Sequence, residues 1–218
     1  MHSFTEENYL KAIYKLQEAN GETVSTTALA QVMGVHSPSV TDMLKRMAVK
    51  KLVIYQKSKG FKLTEKGKRV AIGTIRKHRL WEVFLVDKLG FRWDEVHSIA
   101  EELEHIQSDT LIEKLDKYLG FPKTDPHGDP IPDSKGVFAK SRSVLLSELR
   151  EGSQAKFAGV TDHSASFLTY LDKTGISLGD TVKVHAIEEF DKSITLQLKN
   201  KKEIIISHKV ANSLLVLE

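Results

Sequence analysis

Four of the chain's five prolines stand close together, at Pro122, Pro126, Pro130 and Pro132. Proline lacks an amide donor and fixes φ, so such a stretch cannot be the interior of a helix or sheet. It reads as a linker over residues 121–140. Upstream, apolar residues recur at helical spacing. Downstream, short apolar runs alternate with Gly175, Gly179-Asp180 and Asn200, which mark turns. The expected fold class is therefore mainly α with a small β domain. With 218 residues, 40% of them hydrophobic, the chain can build real cores. No apolar run approaches the roughly 20 residues that cross a bilayer. The polar start, Met1 to Leu10, does not read as a secretory signal, so a cytoplasmic protein is expected. The absence of cysteine excludes disulfide scaffolds, zinc ribbons, iron–sulfur clusters and thiol catalysis.

The first half has a definite helical grammar. Residues 5–19 carry Leu10, Ile13 and Tyr14 on one face, with Thr5 as a candidate cap and Glu6 and Glu7 in the first turn. Ser25-Thr26-Thr27 opens a second helix, which Gly34 can end in a left-handed conformation. Ser37-Pro38-Ser39 opens a third, with Val40, Met43, Leu44 and Met47 at i, i+3, i+4 and i+7. Two short helices joined by a glycine turn make a helix-turn-helix. Leu52-Val53-Ile54-Tyr55 and Phe61-Lys62-Leu63 then read as strands about a turn at residues 57–60. The unit is a winged helix. Thr64 begins a long helix to Leu89, and two more are expected over residues 93–108 and 109–119. Their apolar faces exceed what a winged helix needs to cover, which points to dimerisation. After the linker, strands are expected at residues 144–146, 154–160, 181–187, 194–198 and 204–207, with one helix at residues 164–174. Such a set suggests a small SH3-like β-barrel. The expected domains are residues 1–75, 76–140 and 141–218.

The second helix of a helix-turn-helix enters the major groove. With its apolar face committed to the core, Ser37, Pro38, Ser39, Thr41, Asp42, Lys45 and Arg46 remain for DNA. Hydroxyls and a carboxylate can read base edges, and Pro38 can meet a thymine methyl. Thr27, Lys57 and Lys59 suit phosphates. Charge supports this assignment. Residues 1–77 hold 14 basic against 6 acidic side chains, whereas residues 78–135 hold 7 against 13. A basic head implies a polyanion partner, and an acidic middle implies a cation site or a solvated acidic face.

The acidic middle holds the most specific chemistry. His97, Glu101, Glu104 and His105 project from one helical face, and His78 and Glu82 form an i, i+4 pair. Clustered carboxylates repel one another unless a cation or protons intervene. Imidazole and carboxylate without sulfur suit Mn(II) or Fe(II), and would also bind Zn(II) and other divalent ions in vitro.

These residues carry a resemblance. Thr5-Glu6-Glu7-Asn8-Tyr9-Leu10, Arg76-Lys77-His78-Arg79-Leu80-Trp81-Glu82, Val96-His97, Glu101-Glu102-Leu103-Glu104-His105 and Pro126-His127-Gly128-Asp129-Pro130-Ile131-Pro132 together resemble the diphtheria toxin repressor and manganese transport regulator family of metal-dependent transcriptional repressors. The resemblance spans essentially the whole chain. It implies one metal site from Asn8, Glu101, Glu104 and His105, and a second from His78, Glu82 and His97. Asp125 and His127 match ligands added by the linker, and Asp162 or its neighbour His163 matches one from the third, SH3-like (FeoA-like) domain. The chain departs from the family at Asn8, where Asp or Met is usual, and at Lys11, which replaces a carboxylate of manganese regulators. Glu101 stands where iron-type members carry sulfur, which favours Mn(II) over Fe(II).

The expectation is a homodimeric repressor, not an enzyme. It would bind a double-stranded operator and control metal-uptake genes, with no membrane partner and no small-molecule substrate. One rival is a winged-helix regulator of an organic ligand, with the His and Glu residues structural. A metalloenzyme is a weaker rival, because the chain has neither a His-Glu-x-x-His pattern nor a glycine-rich phosphate loop.

Overall fold

The computed structural model describes residues 2–56, 60–140, 142–199 and 202–217. Helix α1 spans Phe4–Asn20. It starts earlier than Thr5 because Ser3 is the cap. The Ser3 hydroxyl accepts the Glu6 amide at 3.2 Å, and the Glu6 carboxylate accepts the Ser3 amide at 3.1 Å. This reciprocal box satisfies two donors that a helix start leaves open.

Helices α2 (Thr26–Met33) and α3 (Ser37–Val49) flank Gly34, which has φ +65°. The turn therefore uses the left-handed conformation that glycine adopts without strain. Val40, Leu44 and Met47 of α3 are buried in the core cluster of the winged helix, burying the expected face. Strands β1 (Val53–Gln56) and β2 (Gly60–Leu63) pair antiparallel, Val53 opposite Leu63. The expected turn residues Lys57 and Lys59 lie outside the described residues. Val24 extends the wing, exchanging both backbone hydrogen bonds with Phe61 at 2.8 and 2.9 Å.

Helix α4 runs from Glu65 to Leu89, capped by the Thr64 hydroxyl. Helix α5 covers only Val96–Leu103 and α6 covers Asp109–Tyr118. The expected helix over residues 93–108 is cut at both ends. Arg92 and Trp93 instead bond the Asp172 carboxylate at 2.8 and 3.0 Å, and the Ser108 hydroxyl caps α6.

The third unit is a six-stranded antiparallel sheet in the order β3-β8-β4-β5-β6-β7. Its strands are β3 (Val144–Leu145), β4 (Gln154–Val160), β5 (Thr181–Ile187), β6 (Ile194–Leu198), β7 (Glu203–Ile206) and β8 (Leu214–Leu217). Helix α7 (Ala165–Thr174) covers it, and the short α8 (His208–Ala211) precedes β8. Sequence reasoning missed α8 and β8. Three separate apolar clusters form, one in each third of the chain. Trp93, which precedes α5, packs against the cluster of the sheet unit.

Candidate metal centre and DNA-reading surface

The long helix α4 places His78 and Glu82 one turn apart, facing α5. His78 Nε2 lies 3.0 Å from Glu82 Oε1, and His97 Nδ1 of α5 lies 3.5 Å from the same oxygen. Ligand atoms of His78, His97 and Glu101 lie within 4.8 Å of one another. A second set, Glu82, Asp125 and His127, meets the same limit and is wholly buried. Glu82 therefore joins the two sets. This grouping puts Glu101 with His78 and His97, whereas the resemblance implied it for the site of Asn8, Glu104 and His105.

The linker is folded to present its ligands. Asp125 Oδ1 accepts the amides of His127 and Asp129 at 2.8 and 3.0 Å. Arg79, beside His78 on α4, donates to the Pro130 carbonyl and to Asp129, at 2.5 and 2.8 Å. Gly128, with φ +90°, lies so close to β4 that a Cβ there would stand 2.1 Å from the Ala158 carbonyl oxygen. The His127 carbonyl accepts the Val160 amide at 3.0 Å. His127 Nε2 lies 2.9 Å from the Trp93 carbonyl, which can only accept. The ring must therefore donate from Nε2. In a neutral ring the Nδ1 lone pair then faces Glu82 at 3.5 Å and Asp125 at 3.9 Å. A ring fixed by an N–H on a backbone carbonyl, with its other nitrogen left free to ligate, is how metal-binding imidazoles are held. A cavity of about 20 Å³ lies among these groups, lined also by Lys15 and His163. It has room for one ion or water. The donor set and this space fit a divalent cation.

Titration follows the crowding. Burial works against a charged His78, but its bonds to Glu104 and Glu82 win and push it up to about 9. Burial, with the negative Glu82 and Asp129 nearby, pushes the Asp125 carboxyl up to about 7. Burial opposes ionisation of Glu82 as well, yet hydrogen bonds from His127, His78 and His97 hold it well below the usual carboxylate range. Burial, with the nearby His127 and Lys15, lowers His163.

Of Glu101, Glu104 and His105, only Glu101 belongs to either set. Glu101 and Glu104 both hold the Lys11 ammonium. Glu104 Oε2 also lies 2.7 Å from His78 Nδ1. His105 Nδ1 lies 2.6 Å from Glu7, and the Gln107 amide donates to the same carboxylate. Asn8 Oδ1 is buried without a hydrogen-bond partner. Asp162 is not brought to the centre, and its carboxylate accepts the Ser164 amide at 2.9 Å. His163 lines the cavity instead. Sequence reasoning missed Glu7, Lys15, Arg79 and Asp129. No local pattern singled out Glu7, whose partner His105 lies 98 residues away in sequence.

On α3, Ser37, Pro38, Ser39, Asp42, Lys45 and Arg46 are exposed, and Thr27 is exposed at the start of α2. Thr41 is half-buried and donates to the Ser37 carbonyl at 3.0 Å. Asp42 and Lys45 approach to 3.5 Å.

A winged helix with an exposed reading helix, joined to a buried imidazole–carboxylate centre, defines a metal-responsive DNA-binding regulator. Family models agree along the chain. They are the iron dependent repressor N-terminal DNA binding domain over residues 1–61, its metal binding and dimerisation domain over 64–133, and the FeoA domain over 144–217. The "Iron-dependent repressor IdeR" of Mycobacterium tuberculosis is 31% identical, with 97% of this chain and 96% of that protein covered. A solved "Manganese-dependent transcriptional repressor complex with manganese" superposes with a TM-score of 0.86 at 36% identity, covering 98% and 99% of the two chains. The structure of ScaR with bound Zn2+ gives 0.77 at 35% identity, with the same coverage. The chain belongs to the iron-dependent repressor family. The expected resemblance and three-part architecture are borne out, and the family is one of DNA-binding transcriptional repressors rather than enzymes. Among the described residues no helix is long and apolar enough to cross a membrane.

Proposed function

We propose that this chain is a cytoplasmic, homodimeric repressor that senses Mn(II), with Fe(II) as the second candidate, and binds a double-stranded operator controlling metal-uptake genes. The observation that carries the reading is His127, its Nε2–H fixed on the Trp93 carbonyl and its Nδ1 facing two buried carboxylates. A bound divalent cation supplies the positive charge that relieves repulsion among those carboxylates. Glu82 contributes from α4, His97 and Glu101 from α5, and Asp125 and His127 from the linker. His163 stands beside them from the sheet unit. Asn8 extends the centre to α1, and thus to the winged helix. Whatever draws these elements together favours one relative placement of the reading helices, and linkage makes DNA and cation binding reinforce each other. Sulfur-free donors agree with the manganese-dependent relatives. At this centre, a cavity of about 20 Å³ lined by charged groups has no room for an organic effector. The exposed Leu89, Leu111, Tyr118 and Phe121 of the middle segment suit a partner copy.

Mobility-shift titrations with DNA upstream of candidate uptake genes test this reading. Retardation should require Mn(II), be reversed by chelator, and be lost in Glu82→Gln. Equal DNA binding with and without chelator would overturn it.

A further inference from the structure

The Lys11 ammonium lies 2.7 Å from Glu101 Oε1, and 2.6 and 2.8 Å from the two oxygens of Glu104. Lysine has three N–H donors, and these three oxygens match them. The distances are those of charge-assisted bonds. Glu104 is wholly buried and the Lys11 side chain nearly so. A cation from α1 thus sits on two carboxylates that the family resemblance assigns to metal.

The other members of that ligand set show the consequence. Asn8, three residues before Lys11 and so on the same helical face, has a buried amide oxygen with no hydrogen-bond partner. His105 Nδ1 is engaged by Glu7, leaving its Nε2 3.8 Å from Glu104. A divalent ion on the Glu101 and Glu104 oxygens would occupy the space of the ammonium. Like charges at such range repel strongly, so the two cations exclude each other.

We infer that Lys11 is a tethered competitor for the cation at the Glu101–Glu104 end of the centre, raising the metal concentration at which that end fills. The inference rests on the metal-responsive reading above. In the metal-free protein Lys11 neutralises carboxylates that otherwise repel one another. Metal entry swings the ammonium out and gives Asn8 Oδ1 its cation. Sensitivity is thereby set by a side chain that ligates nothing.

Two measurements test it. Binding of Mn(II), followed by loss of the free-ion paramagnetic resonance signal, is compared in the parent and Lys11→Met. The variant should bind at least about tenfold tighter at one site, or gain a site that the parent lacks. Unchanged or weaker binding by folded Lys11→Met overturns the competitor role but leaves the metal reading intact. No Mn(II) binding by either protein overturns both. Should Lys11→Met fail to fold, the parent alone decides. Mass spectrometry after brief acetylation should show Lys11 protected without metal and more reactive with saturating Mn(II). Equal reactivity in the two states overturns the inference.

Discussion

His127 donates its Nε2–H to the Trp93 carbonyl at 2.9 Å, across 34 residues of sequence. Trp93 packs on the core of the sheet unit and bonds Asp172 of α7. The orientation of a candidate metal ligand is thus fixed by a residue docked on the third domain. The sheet unit braces the centre, and it also lends His163 to the wall of the cavity.

That bracing has a direct test at Gly128. Its φ of +90° disfavours any side chain, and a Cβ would stand 2.1 Å from the Ala158 oxygen and 2.4 Å from Gly159 Cα. Gly128→Ala should cost about 2 kcal/mol or more. It should also weaken Mn(II) binding about tenfold, by moving His127 off its carbonyl. Gly21→Ala is the control. Gly21 has φ +101° but nothing within 4 Å of a built Cβ. It should lower thermal stability by backbone strain alone and leave Mn(II) affinity unchanged. Equal metal affinity in the two variants would sever the link between the sheet unit and the centre.

The winged helix makes a separate prediction. Arg46 is exposed on α3, at the end of the reading face. Arg46→Ala should weaken operator binding and reduce the log–log salt slope by about 0.9. Asp42→Ala should change base preference with little change in slope, since a carboxylate neutralises no phosphate. Fluorescence anisotropy across a salt series separates the two effects. An unchanged slope for Arg46→Ala would place the phosphate contacts elsewhere.

The metal response should depend on pH in a defined direction. His78 is raised to about 9 in the folded protein, its bonds to Glu104 and Glu82 outweighing burial. Its contribution to metal-free stability is fully present below its unfolded value, about 6.5, and is lost as pH rises through 9. Asp125, raised to about 7 by burial with Glu82 and Asp129 nearby, also holds its proton longer folded than unfolded. Metal-free stability should therefore decline from mildly acidic to alkaline pH. Mn(II) must displace these protons, so the rise in melting temperature that it causes should grow between about pH 6 and about pH 8. A constant or shrinking rise would mean that neither group lies at the metal.

What the sequence revealed and what it hid divide by range. His78 and Glu82, like His97 and Glu101, are i, i+4 pairs, and helical geometry alone puts each pair on one face. Gly34 and Pro38 punctuate α2 and α3 through local backbone preference. In contrast, the Lys11 bonds to Glu101 and Glu104 and the Glu7 contact to His105 span 90 or more residues. Nothing local in α1 says which of its polar residues meets α5. Strand β8 was hidden similarly. Leu214-Leu215-Val216-Leu217 is a short apolar run without alternation, and its place between β3 and β4 is set by strands over 50 residues away.

Asn8→Asp should tighten Mn(II) binding, and by more when Lys11 is absent. The parent amide offers one neutral oxygen, buried and unpartnered. A carboxylate adds a full charge beside a divalent ion. Repulsion from Glu101 and Glu104 opposes the gain. At an effective dielectric near 20, unit charges about 4 Å apart interact by about 4 kcal/mol, so two repulsions at that distance could cancel attraction to a doubly charged ion. A ligated metal lies closer to each carboxylate than the carboxylates lie to one another, so the balance favours binding. In the metal-free protein, however, the introduced carboxylate would stand one turn from Lys11 and give the ammonium a further anion. That strengthens the competitor and offsets part of the gain. Asn8→Asp alone should therefore tighten binding modestly, whereas adding it to Lys11→Met should tighten binding more than it does in the parent. Calorimetric titration of the parent, both single variants and the double variant measures this coupling directly. Strict additivity would mean that Asn8 and Lys11 do not address the same cation site. Weaker binding by both Asn8→Asp proteins would mean that the site already holds all the negative charge it can use.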